Sequence, residues 1–116
     1  MLVFVNKGEL YFGIDIFMVL LYNKEKGVFM KEIKINIPEY DDCIELVWEK
    51  DFKIKTRYEY DTIIIEANNA GLVSLARHLL VLAQEEAPSG CHIHLDEFNS
   101  LEDGSLELIL DKNENI

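Results

Sequence analysis

Thr62-Ile63-Ile64-Ile65-Glu66-Ala67-Asn68-Asn69-Ala70-Gly71-Leu72-Val73-Ser74-Leu75-Ala76-Arg77-His78-Leu79-Leu80 changes hydrophobic period half-way along. Its first six residues, four of them β-branched, are apolar enough for a strand central in a sheet. Asn68 or Asn69 then offers a side-chain oxygen as helix N-cap, and a helix follows to about Ala87, where Pro88 stops it. At 3.6 residues per turn, Leu72, Leu75, Ala76, Leu79, Leu80, Leu82 and Ala83 share one broad apolar face. Ser74, Arg77, His78, Val81, Gln84 and Glu85 fall opposite and are expected to face water. The reading is a helix laid on a sheet.

Upstream, Ile33, Ile35 and Ile37 alternate with polar residues until Pro38 ends the strand. A second strand is expected from Cys43 to Trp48 and a third from Phe52 to Tyr60. In the third, Phe52, Ile54, Thr56, Tyr58 and Tyr60 lie on one side, and Asp61 breaks it. Downstream, residues 91–95 and 105–111 read as an antiparallel pair joined by a loop containing Asp103-Gly104. The order ββββαββ predicts an α+β, two-layer fold: a mostly antiparallel sheet of about five or six strands with one long helix packed on it.

Residues 1–29 differ, because residues 1–5 and 10–22 are apolar without clean alternation. The apolar run is shorter than the roughly 20 residues a membrane helix needs, and Asp15 interrupts it. Codons for Glu25-Lys26-Gly27-Val28 can spell a purine-rich ribosome-binding sequence just before Met30. Two readings follow: a translated leader ahead of a natural start at Met30, or an extra hairpin that extends the sheet. The expected organisation is this extension, a single domain over residues 30–112, and a tail over residues 113–116.

Across 116 residues, 22 acids stand against 11 bases, for a formal charge of −11. Omitting residues 1–29 removes Glu9, Asp15 and Glu25 with Lys7, Lys24 and Lys26, so the charge is unchanged. This sign disfavours nucleic acid, whose binders present Lys and Arg to phosphates, and it favours a basic partner. The composition is also that of many bacterial cytosolic proteins, whose acidity serves solubility. Cys43 and Cys91 form no C-x-x-C motif, so buried, reduced thiols and a cytoplasmic compartment are expected. No cofactor and no membrane association is expected.

His92, His94 and Asp96 carry the strongest hint of chemistry, since i, i+2 and i+4 in a strand place them on one face. Two imidazoles and a carboxylate are part of a zinc ligand set. The string is reminiscent of metallo-β-lactamase-type hydrolases, but Glu97 stands where that motif has a histidine. A small metal-binding protein or metal-dependent enzyme using these three residues is therefore the alternative function. No serine lies in G-x-S-x-G, and Gly90 and Gly104 are isolated, so neither a nucleophile elbow nor a phosphate loop is present. Catalytic residues are expected to be absent.

Charge distribution is more informative. From Gln84 to Asp111 the acids are Glu85, Glu86, Asp96, Glu97, Glu102, Asp103, Glu107 and Asp111, without one Lys or Arg. Phe98 and Leu101 place apolar side chains in the acidic loop, which suits a protein interface or a solvated loop with both tucked beneath it.

Three blocks, residues 67–80, 90–97 and 102–109, resemble immunity protein family thirty-two, small bacterial proteins encoded beside polymorphic toxins. Glu45-Leu46-Val47-Trp48 and a start at Met30 suit the same pattern, and the resemblance spans residues 30–112. It implies a cytoplasmic antitoxin that binds a cognate toxin domain, with a basic nuclease as one candidate partner. The expected contact region is His92, His94, Asp96, Glu97, Phe98, Glu102 and Asp103. Self-association into a homodimer through the His92 face is the remaining alternative.

Overall fold

The computed structural model describes residues 10–12, 16–23 and 27–116. Residues 1–5, part of the segment read as leader or added hairpin, lie outside the described residues. The chain divides into two units, Met1–Asn36 and Ile37–Ile116. In the first, β1 (Leu10–Phe12), β2 (Ile16–Asn23) and β3 (Val28–Ile35) form an antiparallel sheet in the order β1-β2-β3. Met18 stands opposite both Leu10 and Ile33 in register. The alternating Ile33 and Ile35 thus belong to a strand, as their period requires, but its sheet partner is β2.

The second unit holds β4 (Ile54–Glu59), β5 (Thr62–Ala67), α1 (Asn69–Leu82), β6 (His92–Leu95) and β7 (Leu108–Asp111). It is α+β with one helix, but the expected single sheet is replaced by two separate antiparallel hairpins, β4-β5 and β6-β7. The expected strand from Cys43 to Trp48 is irregular chain. Its backbone finds partners on the helix instead of on a neighbouring strand. Ser74 Oγ accepts from Glu49 N at 2.9 Å, and Arg77 donates to Val47 O at 3.4 Å. Gln84 extends the lacing, accepting from Tyr40 N at 3.1 Å and donating to Pro38 O at 3.0 Å. Tyr40 N, Glu49 N, Pro38 O and Val47 O thus find side-chain partners in place of a ladder.

The same lacing goes with a helix rotated from its expected orientation. Ser74, Arg77, His78 and Val81, expected to face water, are buried at 1% exposure or less, whereas Leu72 and Leu79 are half exposed. Leu75 and Leu82 alone of the expected apolar face join the core with Ile54, Ile93, Leu95 and Leu101. Ile44, Leu46, Trp48 and Phe52 pack against that cluster from the irregular segment. Trp48 stacks on Phe52 at 4.2 Å between ring centres and meets His78 edge-on at 4.4 Å.

Helix α1 starts where Asn68 caps it. Asn68 Oδ1 accepts from Gly71 N at 2.8 Å and from Lys53 N at 3.0 Å, while its amide donates to Asp51 O at 2.9 Å. One side chain therefore fixes both the helix start and the approach to β4. The helix ends at Leu82, short of the expected Ala87. Beyond it, Lys112 Nζ donates to Gln84 O at 2.7 Å and Ala87 O at 2.6 Å, tying the tail of β7 to the post-helical turn.

Candidate functional site

Strand β6 carries the alternation read from the sequence: Ile93 and Leu95 are buried and His92 and His94 exposed. The two imidazoles stand 4.9 Å apart between ring centres. Each already has a partner. His92 Nδ1 lies 2.9 Å from Gly90 O, and His94 Nδ1 lies 2.7 Å from Glu107 Oε1 across the hairpin.

Asp96 does not complete the set, because it falls past the strand end and serves the next turn. Its Oδ1 accepts from Phe98 N at 2.9 Å and Asn99 N at 3.0 Å, while Asn99 Oδ1 accepts from Asp96 N at 3.0 Å. This reciprocal arrangement resembles an N-cap and satisfies amides that no helix claims. Among the described residues, no three His, Cys, Asp or Glu side chains gather as ligands for a metal. Spacing on one strand face is thus not convergence on one point for His92, His94 and Asp96. Cys43 is exposed rather than buried, and Cys91 is half-buried with its Sγ 4.0 Å from the Tyr40 hydroxyl.

The loop after Asp96 is closed on itself. Glu97 Oε2 accepts from Gly104 N at 2.8 Å, and Gly104 takes φ +85°, where a side chain would be strained. Asp96 O accepts from Ser100 N and Leu101 N at 3.0 and 2.8 Å. Leu101 descends into the core at 5% exposure, whereas Phe98 is 94% exposed. The two apolar residues of the acidic loop therefore separate: one anchors the loop below, and the other crowns it. Glu102 and Asp103 are exposed beyond it.

The contact region expected from the sequence thus has two layers. Asp96 and Glu97 hold the loop in shape, Phe98, Glu102 and Asp103 are exposed upon it, and His92 and His94 are exposed on β6 before it. A phenyl ring held in water by a hydrogen-bonded loop that also exposes Glu102 and Asp103 has the make-up of an interface anchor.

The loop is also stitched to β4, a connection that periodicity alone did not suggest. Glu102 N donates to Ile54 O at 2.9 Å, Leu106 N donates to Thr56 O at 3.2 Å, and the Thr56 hydroxyl donates back to Leu106 O. This engagement explains why β7 starts at Leu108 rather than Ser105: the preceding residues bond to β4 instead of to β6.

No curated protein and no solved structure matches the chain. Residues 62–113 match the family model Imm32, Immunity protein 32, and it is in this immunity protein family that the sequence blocks at 67–80, 90–97 and 102–109 find their counterpart.

Proposed function

We propose that this protein is an antitoxin that neutralises a cognate bacterial toxin by stoichiometric binding, with the acidic loop after β6 as its principal contact. Phe98 carries the reading, since its ring is 94% exposed on a loop fixed by Asp96 and Glu97. Burying such a ring in a partner pocket contributes on the order of 2 kcal/mol, which is about thirtyfold in affinity. Glu102 and Asp103 supply charge beside it, and the chain's −11 favours encounter with a basic surface. A nuclease toxin, whose surface must attract phosphates, fits that requirement.

The test is co-expression of the toxin domain encoded beside this gene, followed by calorimetric titration of the purified pair. Rescue of growth with saturable one-to-one binding is expected, and Phe98→Ala should weaken binding about thirtyfold while leaving the melting temperature unchanged. Charge reversal at Glu102 and Asp103 should slow association and flatten its salt dependence. Absence of both rescue and binding would reduce the family match to a shared fold.

A further inference from the structure

Strands β4 and β5 pair with Ile54 opposite Ala67, Thr56 opposite Ile65 and Tyr58 opposite Ile63, so these six side chains share one side of the hairpin. At its base that side enters the core, with Ile54 and Thr56 buried at 1% and 3% exposure. Towards the tip it is uncovered: Ile65 is 43% exposed, Tyr58 56%, Ile63 75% and Tyr60 95%. The apolar face simply outruns the core that its first residues serve.

The tip is costly to build as it stands. Tyr60 and Asp61 take φ of +51° and +57°, the two-residue turn that Asn-Gly makes readily. A bulky aromatic residue rarely occupies this region without strain. The Tyr58 hydroxyl donates to Asp61 Oδ1 at 2.9 Å and the Thr62 hydroxyl to Tyr60 O at 3.2 Å, which hold the turn closed. The Tyr60 side chain itself contributes nothing to the core.

Charge selects the occupant. From Ile54 to Ala67 the hairpin carries Glu59, Asp61 and Glu66 against Lys55 and Arg57, a balance of −1, with Asp61 at the tip beside the apolar side and Arg57 paired on the other side with Glu59 at 2.5 Å and Glu66 at 2.6 Å. A second copy would bring another −11, setting like charges together. A surface with an apolar centre and a Lys/Arg rim is complementary. The hairpin also continues from the acidic loop, because Glu102 and Leu106 bond to Ile54 and Thr56, and Leu106 is itself 54% exposed.

We propose that Tyr58, Tyr60, Ile63 and Ile65 form a second anchor of the toxin-binding surface, taking an apolar spot ringed by basic residues on the toxin. The inference rests on the antitoxin reading. Its test uses the full chain and the toxin domain encoded beside the gene, with Tyr60→Asn, Ile63→Ser and Phe98→Ala compared by calorimetry, urea unfolding and sedimentation of the free chain. Tyr60→Asn should keep or raise the unfolding midpoint, because asparagine tolerates the turn, yet weaken binding at least tenfold. Ile63→Ser should leave the midpoint unchanged and weaken binding similarly. Wild-type affinity in both hairpin variants, with Phe98→Ala impaired, would overturn the second anchor and leave the antitoxin reading intact. A free-chain dimer that Ile63→Ser dissolves would assign the patch to a second copy instead. Failure of the unmodified chain to bind would remove both readings together.

Discussion

The two faces of helix α1 reverse the usual relation between polarity and burial. One face carries Ser74, Arg77 and His78 at 0–1% exposure, and the other carries Leu72, Leu79 and Leu80 at 43–53%. Hydrophobicity ranks residues by what burial returns, but what lies against a helix is set by the chain that must cover it. Here the cover is the irregular segment before β4, whose backbone needs donors and acceptors that leucine lacks. Ser74 and Arg77 supply them to Glu49 N and Val47 O. A polar face can therefore be the buried one where the neighbouring chain carries no ladder of its own.

If that account is right, the polar face should be expensive to alter. Arg77 is 1% exposed and also pairs with Glu49 at 3.4 Å. Arg77→Ala removes its packed stem and leaves Val47 O and Glu49 without that donor, an expected cost of about 3 kcal/mol or more. A urea midpoint close to that of the unaltered chain would break the comparison at once.

His78 gives the second largest effect, and one that depends on pH. Its ring is fully buried, neither ring nitrogen has a hydrogen-bond partner, and Trp48 lies against it. Burial, reinforced by the Arg77 charge, pushes its pKa down from 6.5 to about 4. Below pH 6.5 the unfolded chain takes a proton that the folded chain refuses until about pH 4, so stability falls across that window. The loss is about 2 kcal/mol by pH 5 and about 3 kcal/mol by pH 4. His78→Leu should remove this part of the acid sensitivity, measured as the difference in unfolding free energy between pH 7 and pH 5.

These residues also mark how far the sequence could be read. The strand-to-helix switch at Asn68, the β4-β5 turn at Asp61 and the pairing of β6 with β7 all follow from local period and turn chemistry. Ile93 inward and His92 and His94 outward also follow from period two. What periodicity did not carry was non-local satisfaction of polar groups. Glu49 with Ser74 is a pairing across 25 residues, and Thr56 with Leu106 one across 50. The first turned an expected strand into irregular chain and rotated the helix; the second drew the acidic loop onto β4. At the candidate site, Phe98 was legible as an apolar residue among acids. Its separation from Leu101 was not, because that depends on which backbone carbonyl holds each turn of the loop.

Gly71 sharpens the comparison with a smaller effect of unusual sign. In a helix interior, Gly→Ala ordinarily stabilises by about 1 kcal/mol. At Gly71 a Cβ would lie 2.5 Å from Lys53 O and 2.9 Å from Ile54 Cγ1, so the helix could not approach β4 as it does. Gly71→Ala should destabilise by about 1–2 kcal/mol net, since overpacking against backbone outweighs the gain in propensity. Stabilisation instead would mean that the helix stands further from β4 than this contact implies.

The smallest effects should come from the leucines of the expected apolar face that stay in water. Leu72 and Leu79 keep about half their surface in water, at 53% and 52% exposure, so replacing either with Gln forfeits only part of a leucine's burial. Each change should cost under about 1 kcal/mol by urea unfolding, well below Arg77→Ala only one turn of helix away. The ratio between these variants tests the orientation of α1 more directly than any one value. A leucine change as damaging as the arginine change would mean that the apolar face is the covered one. The lacing from Ser74 and Arg77 to the irregular segment could not then be what seats the helix.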